Sequence, residues 1–350
     1  MTGGASGPTA AAGSDAAVDD GLALVPARKL IAEDVDTTFD LHPGDRALVA
    51  DGDVIAAGSP LAERLRVART LVVGAAGGLE AARPGARWSS TPGRRSRDGE
   101  SEPEGELLFR SGGRWRVAAG ELNEELVAPF DGIVHDVRPG TSLGLRTRAR
   151  ALLGLETLAG PTAGRLAIAT GPDGEVRAPQ VDVGAAGTIL VAGARIDAEA
   201  LTRARAVGVR GIVVAALGVK ERRDFLASER RGRAAVHGLP PFGILVLDGA
   251  AGRPIASPVM AILHALEGRQ VAMVADPPCL VVLDVDVELP QPPADLIRVR
   301  SGAIVGAEGR WAGLAGPRRF PAGVTLEAGF VRFGERPPVA IPLGDLERFA

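Results

Sequence analysis

The chain has 350 residues, a formal net charge of −3 and 46% hydrophobic residues, which is long enough for two or three domains with substantial cores. The near-neutral balance excludes a generic polyanion binder. A single cysteine excludes an intramolecular disulfide and a multi-cysteine metal site, and the four scattered histidines, His42, His135, His237 and His264, form no HxH or HxxxH pair that would suit a metal.

Aromatic content is 3% with no tyrosine, while 47 glycines and 26 prolines favour short strands and turns. Met1 to Asp20 is rich in Gly, Ala and Ser, lacks the basic and apolar regions of a signal peptide, and predicts a disordered leader. No apolar run is long enough to span a bilayer. The expectation is a cytoplasmic protein that makes no membrane contact.

From Gly21 to about Ala82 short strands are predicted. Leu41-His42-Pro43-Gly44-Asp45 leads to Asp51-Gly52-Asp53-Val54-Ile55-Ala56-Ala57-Gly58, with glycines at tight corners and alternating apolar residues for a core. Residues 83–105 interrupt this pattern. Arg83, Arg87, Arg94, Arg95 and Arg97 give way to Glu100, Glu102 and Glu104 among Ser, Pro and Gly, a composition that predicts a flexible insertion. Strands resume after Glu106. Trp115 is expected in a half-buried strand, followed by Val127-Ala128-Pro129-Phe130-Asp131-Gly132-Ile133-Val134 and the Arg138-Pro139-Gly140 turn.

The Ala-Pro-x-Asp-Gly-x-Val pattern and the pseudo-repeat of Pro43-Gly44 against Pro139-Gly140 resemble the biotinyl/lipoyl-like barrel-sandwich hybrid. The resemblance covers residues 21–165 and implies a two-fold β-sandwich. A carrier in that family bears its cofactor on a lysine at a hairpin tip. The only lysines here, Lys29 and Lys220, lack that context, so the fold is expected without the carrier chemistry and without a cofactor.

Between residues 166 and 290 the period changes to alternating strands and helices, which predicts a small α/β domain. Gly187–Gly193, Gly211–Ala216 and Phe242–Asp248 read as strands. Asp197 is a suitable N-cap for a helix from Ala198 to Val207 that Gly208 stops, and Ser257 is the expected cap of a helix reaching Leu266. Cys279 heads the apolar run to Leu283 and reads as a buried, inert thiol. Arg195 and Asp197, near a strand's carboxyl end where open α/β sheets bind ligands, form a candidate pocket with His237. The run from Lys220 to Arg233 sets Lys220, Arg222, Arg223, Arg230, Arg231 and Arg233 against three acids. It is a solvated helix face or a patch for an anionic partner. His135 and Asp136 are neighbours on a strand, where side chains point to opposite faces, which argues against a catalytic dyad there.

Residues 295–350 are again β-like. Ile297 to Gly309, with Gly302, Gly306 and Gly309, resembles a KOW motif, although Ala303 stands where that family has proline. The later Phe330-Val331-Arg332-Phe333 strand and the Val339–Glu347 ending resemble the close of an SH3-like barrel. Trp311, Phe320, Phe330 and Phe333 could stack bases, but in so small a barrel they are expected in the core. The resemblance implies docking to protein or to nucleic acid.

The combined expectation is an α+β multidomain chain: a degenerate lipoyl-like β-sandwich, a small α/β domain and a C-terminal SH3-like β-barrel. Its expected role is a non-catalytic adaptor or accessory subunit with a protein partner. A KOW-type nucleic-acid or ribosome-associated protein and a ligand-binding or enzymatic α/β domain are the alternatives. No site residue is expected to be catalytic or to bind metal.

Overall fold

The computed structural model describes residues 21–350 apart from 42–44, 67–68, 75–78, 80, 85, 90–103, 120–121, 235–240, 250–252 and 285. The predicted leader therefore lies outside the described residues. Strand outweighs helix, 44% against 15%, in a β-rich multidomain α+β chain built from several sheets. No helix among the described residues is long and apolar enough to cross a membrane.

The central element is a nine-stranded mixed sheet. Thr162–Ile168, Thr188–Val191, Gly211–Val214 and Gly243–Val246 lie side by side in chain order and run parallel. Their short sequences, TILV, GIVV and GILV after the first, are apolar at almost every position because both faces are covered. Side chains alternate between the two faces. Ile212, Val214 and Ile244 pack with Leu201, Ala204 and Phe225 of helices α1 (Ala198–Val207) and α2 (Val219–Ala234). Val213 and Leu245 pack with Val259, Ile262 and Leu263 of α3 (Ser257–Ala265) on the other face.

Local chemistry sets the helix ends. The Asp197 carboxylate accepts a hydrogen bond from the Ala200 N–H at 2.6 Å, and Gly208 stops α1 at φ 93°, where a side chain would be strained. The Arg205 guanidinium lies over the rings of Phe225 and Phe242, 5.6 and 5.3 Å from their centroids, and pairs with Glu229 of α2. The start of α3 differs from expectation. Ser257 is its first helical residue rather than its cap, and Ala256 in the cap position offers no side-chain acceptor. The acceptor comes instead from Glu308, whose carboxylate takes the Ser257 N–H at 2.7 Å.

Antiparallel strands extend the central sheet through Gln270–Ala275, Pro278–Val282 and Ala151–Leu153 to Ile31–Ala32. Residues between Ile31–Ala32 and Ala151–Leu153 form three further sheets. One joins Val35–Asp40, Ser142–Thr147, Gly132–Arg138 and Val54–Ile55; another joins Leu122–Val127, Pro60–Arg66 and Arg46–Ala47. Val35, Phe39, Leu61, Phe130, Leu143 and Leu145 form their shared core, which continues into Ala272 and Val281 of the central sheet. Gly132 is required by space, since a Cβ there would sit 2.7 Å from the Arg146 carbonyl oxygen. The third sheet joins Arg69–Gly74, Arg114–Ala119, Glu104–Ser111 and Arg87–Ser89. Trp115 is buried within it and donates its indole N–H to the Leu79 carbonyl at 2.8 Å.

The C-terminal sheet has four consecutive antiparallel strands, Leu296–Val299, Glu308–Arg319, Thr325–Arg332 and Val339–Pro342. A 3₁₀ turn at Leu343–Asp345 then brings Leu346–Phe349 back beside the first of them, and Ala27–Arg28 adds a parallel strand to its outer side. All four residues of Leu296–Val299 are buried. Ile297 and Val299 face a core with Leu22, Trp311, Val331 and Ile341. Leu296 and Phe349 face the other way and join the core under α3.

Candidate functional site

The same alternation turns Arg298 and Glu347 toward the central sheet, where their charges meet Asp248. This carboxylate follows the Gly243–Val246 strand at the carboxyl end of the parallel block, a common ligand position in open α/β sheets. Asp248 accepts from Arg298 at 2.8 Å and from Arg28 at 2.5 Å. Arg28 also donates to the Leu247 carbonyl at 2.8 Å, and Arg298 to the Pro254 carbonyl at 3.0 Å. Arg298 is 0% exposed. Glu347 lies 3.6 Å from Arg298 and 3.9 Å from Arg300. Burial alone would push the Asp248 carboxyl up. Arg298 and Arg28 together outweigh it, so the group is held below its ordinary value.

This ionic joint unites three stretches of chain: the N-terminal strand, the turn before α3 and the C-terminal sheet. Beside it opens a cleft of about 470 Å³. Its charged lining is Arg28, Lys29, Arg253 and Arg300 with Asp248 and Glu347; Leu153, Leu247 and Pro278 supply apolar walls. The Arg253 Nε is buried without a hydrogen-bond partner among the described residues. A second cleft, about 710 Å³, is lined by Glu33, Asp34, Asp131, Arg148, Arg150 and Asp284 among others.

Those residues anticipated from sequence that are described fall elsewhere. Arg195 is exposed on a two-residue strand paired with Glu175–Val176, the Asp197 carboxylate caps α1, and His237 lies outside the described residues. Lys220 is exposed at the start of α2. Arg222 makes a two-pronged pair with Glu156 at 2.5 and 2.6 Å, and Arg223 pairs with Asp224 at 3.3 Å. Arg230, Arg231 and Arg233 belong to α2, with side chains outside what is described. Gly302 and Gly306 take φ 91° and 85° in the turn between two strands, and a Cβ on Gly309 would lie 2.6 Å from the Arg332 carbonyl oxygen. Among the described residues no group of three or more His, Cys, Asp and Glu side chains could hold a metal ion.

Sequence reading missed two clusters. One is the joint itself, whose signal was a charged residue closing an apolar strand at Asp248 and another between Ile297 and Val299. The other lies on the sheet of Val35–Asp40, Gly132–Arg138 and Ser142–Thr147. His135 does not pair with its neighbour Asp136; its Nε2 sits 2.6 Å from Asp36, which also accepts from Arg146 at 2.6 Å. Gly144 makes room for the imidazole, since a Cβ there would lie 2.4 Å from the ring. Burial would raise the Asp36 carboxyl, but Arg146 and His135 hold it low. Cys279 is buried, and desolvation pushes its thiol up to about 12, in keeping with an inert core cysteine. No family model matches the chain, and no curated protein matches it.

Proposed function

We propose that this chain is a non-catalytic adaptor that acts in the cytoplasm by binding a protein partner. One observation carries the reading. At the carboxyl end of the parallel block, the usual place for chemistry in an open α/β sheet, the carboxylate Asp248 is tied up by two guanidiniums, Arg28 and Arg298. A carboxylate held ionised between two arginines is a poor proton acceptor, so it acts as a fastener. The lipoyl-like pattern without a carrier lysine and the strand–3₁₀–strand ending of SH3-like type support reading the attached β-modules as docking modules.

The contact we assign to the partner is the Val54–Ile133 cross-strand pair at the edge of the sandwich, where the two side chains are 82% and 53% exposed. Purification of the tagged chain from its host under gentle conditions tests this, with a Val54→Lys/Ile133→Lys variant in parallel. The expected result is one stoichiometric protein that survives nuclease and is lost with the variant, at unchanged melting temperature. Nucleic acid eluting in its place, or a partner equally retained by the variant, would overturn the assignment.

A further inference from the structure

We infer that the cleft beside the ionic joint is a binding site for a small phosphate monoester. Asp248 is claimed by Arg28 and Arg298, and Glu347 by Arg298 and Arg300. Lys29 and Arg253 also line the cleft, and neither has a carboxylate partner among the described residues. Two unmatched cations suit a group that carries close to two negative charges at neutral pH. Arg253 adds a second, independent sign. Its Nε is withdrawn from water and finds no acceptor among the described residues, although buried donors are nearly always satisfied. A phosphate oxygen would satisfy it, and a guanidinium fork suits that geometry.

The rest of the cleft defines the body of the ligand. Its volume of about 470 Å³ falls within the usual range for small-molecule sites. Leu153, Leu247 and Pro278 give it apolar walls, so a compact organic group attached to the phosphate is accommodated while a bare ion leaves the walls uncovered. The ligand would lie between Lys29, just after the Ala27–Arg28 strand, and the turn before α3, which carries Arg253.

The test uses the full-length chain and four probes at constant ionic strength: phenyl phosphate, inorganic phosphate, benzoate and sulfate. Affinities come from isothermal titration and stabilisation from thermal melting. Phenyl phosphate is expected to bind about tenfold more tightly than inorganic phosphate and than benzoate, the equivalent of one well-made contact. Sulfate, with the same charge but no apolar body, is expected to match inorganic phosphate. Lys29→Gln and Arg253→Gln are each expected to weaken phenyl phosphate by about tenfold, as loss of one charge-assisted hydrogen bond does. Lys29 is exposed, so its variant keeps the fold even if the Arg253 variant does not. Equal binding by wild type and the Lys29 variant, or no preference for phenyl phosphate over sulfate and benzoate, would overturn the assignment.

Discussion

Replacing Asp248 with alanine removes the acceptor shared by Arg28 and Arg298. Arg298 has no exposed surface and would keep only its bond to the Pro254 carbonyl, with Glu347 at 3.6 Å. Stripping one partner from a buried pair costs about 3–5 kcal/mol, chiefly because the other charge stays buried and uncompensated. Arg28 is 20% exposed and can rehydrate, which favours the lower end. That is a third or more of the stability of many proteins. At about 1.4 kcal/mol per decade it raises local opening by two to three orders of magnitude. Hydrogen exchange read by mass spectrometry is the suitable assay, because a multidomain chain need not unfold in one step. Peptides covering Leu296–Val299 and Leu346–Phe349 should lose protection by that factor, while peptides from Val35–Asp40 and Gly132–Arg138 should not. The Asp248→Leu/Arg298→Met double variant should recover most of the loss, since an apolar pair of similar volume often replaces a buried ion pair at little cost. A loss below about 1 kcal/mol in the single variant, or a double variant worse than the single, would refute the joint as the fastener between the two sheets.

Further outcomes follow from the same geometry. Because the folded Asp248 carboxyl lies below its ordinary value of 3.8, its contribution is complete above that pH and is lost as pH falls through the folded value; an acid titration of C-terminal protection should show this, and Asp248→Asn should flatten it. With the Cys279 thiol pushed up to about 12, roughly one molecule in ten thousand is thiolate at pH 8, so a thiol-reactive disulfide reagent should label the chain only after denaturation. Glu308→Ala should destabilise the start of α3 by about 1 kcal/mol, the usual worth of a helix cap, visible as faster exchange at its first turn. Gly329→Ala would put a Cβ 2.1 Å from the Trp311 ring and should cost about 1–3 kcal/mol through overpacking, read as lost hydrogen-exchange protection in peptides covering Thr325–Arg332.

The sequence by itself determined much of the local structure. Short apolar runs bounded by turn residues marked the strands at Thr188–Val191, Gly211–Val214 and Gly243–Val246, because burial on both faces leaves no alternation to obscure them. Asp197 and Gly208 marked both ends of α1, because caps act over a few residues and carry their own chemistry. The isolated Cys279 declared its burial through its apolar neighbours. Tertiary structure alone decided the pairing of charges. Asp248 meets Arg28 from 220 residues away and Arg298 from 50, and His135 takes Asp36 from 99 residues away rather than the adjacent Asp136. Nor did the sequence show that Glu308 would cap α3 in place of Ser257. A cap or an apolar run is specified by spacing along the chain, whereas an ion pair depends on which strand faces which. That is set only when Arg298 and Glu347, on the face of their strands opposite Ile297 and Leu346, are turned toward the central sheet.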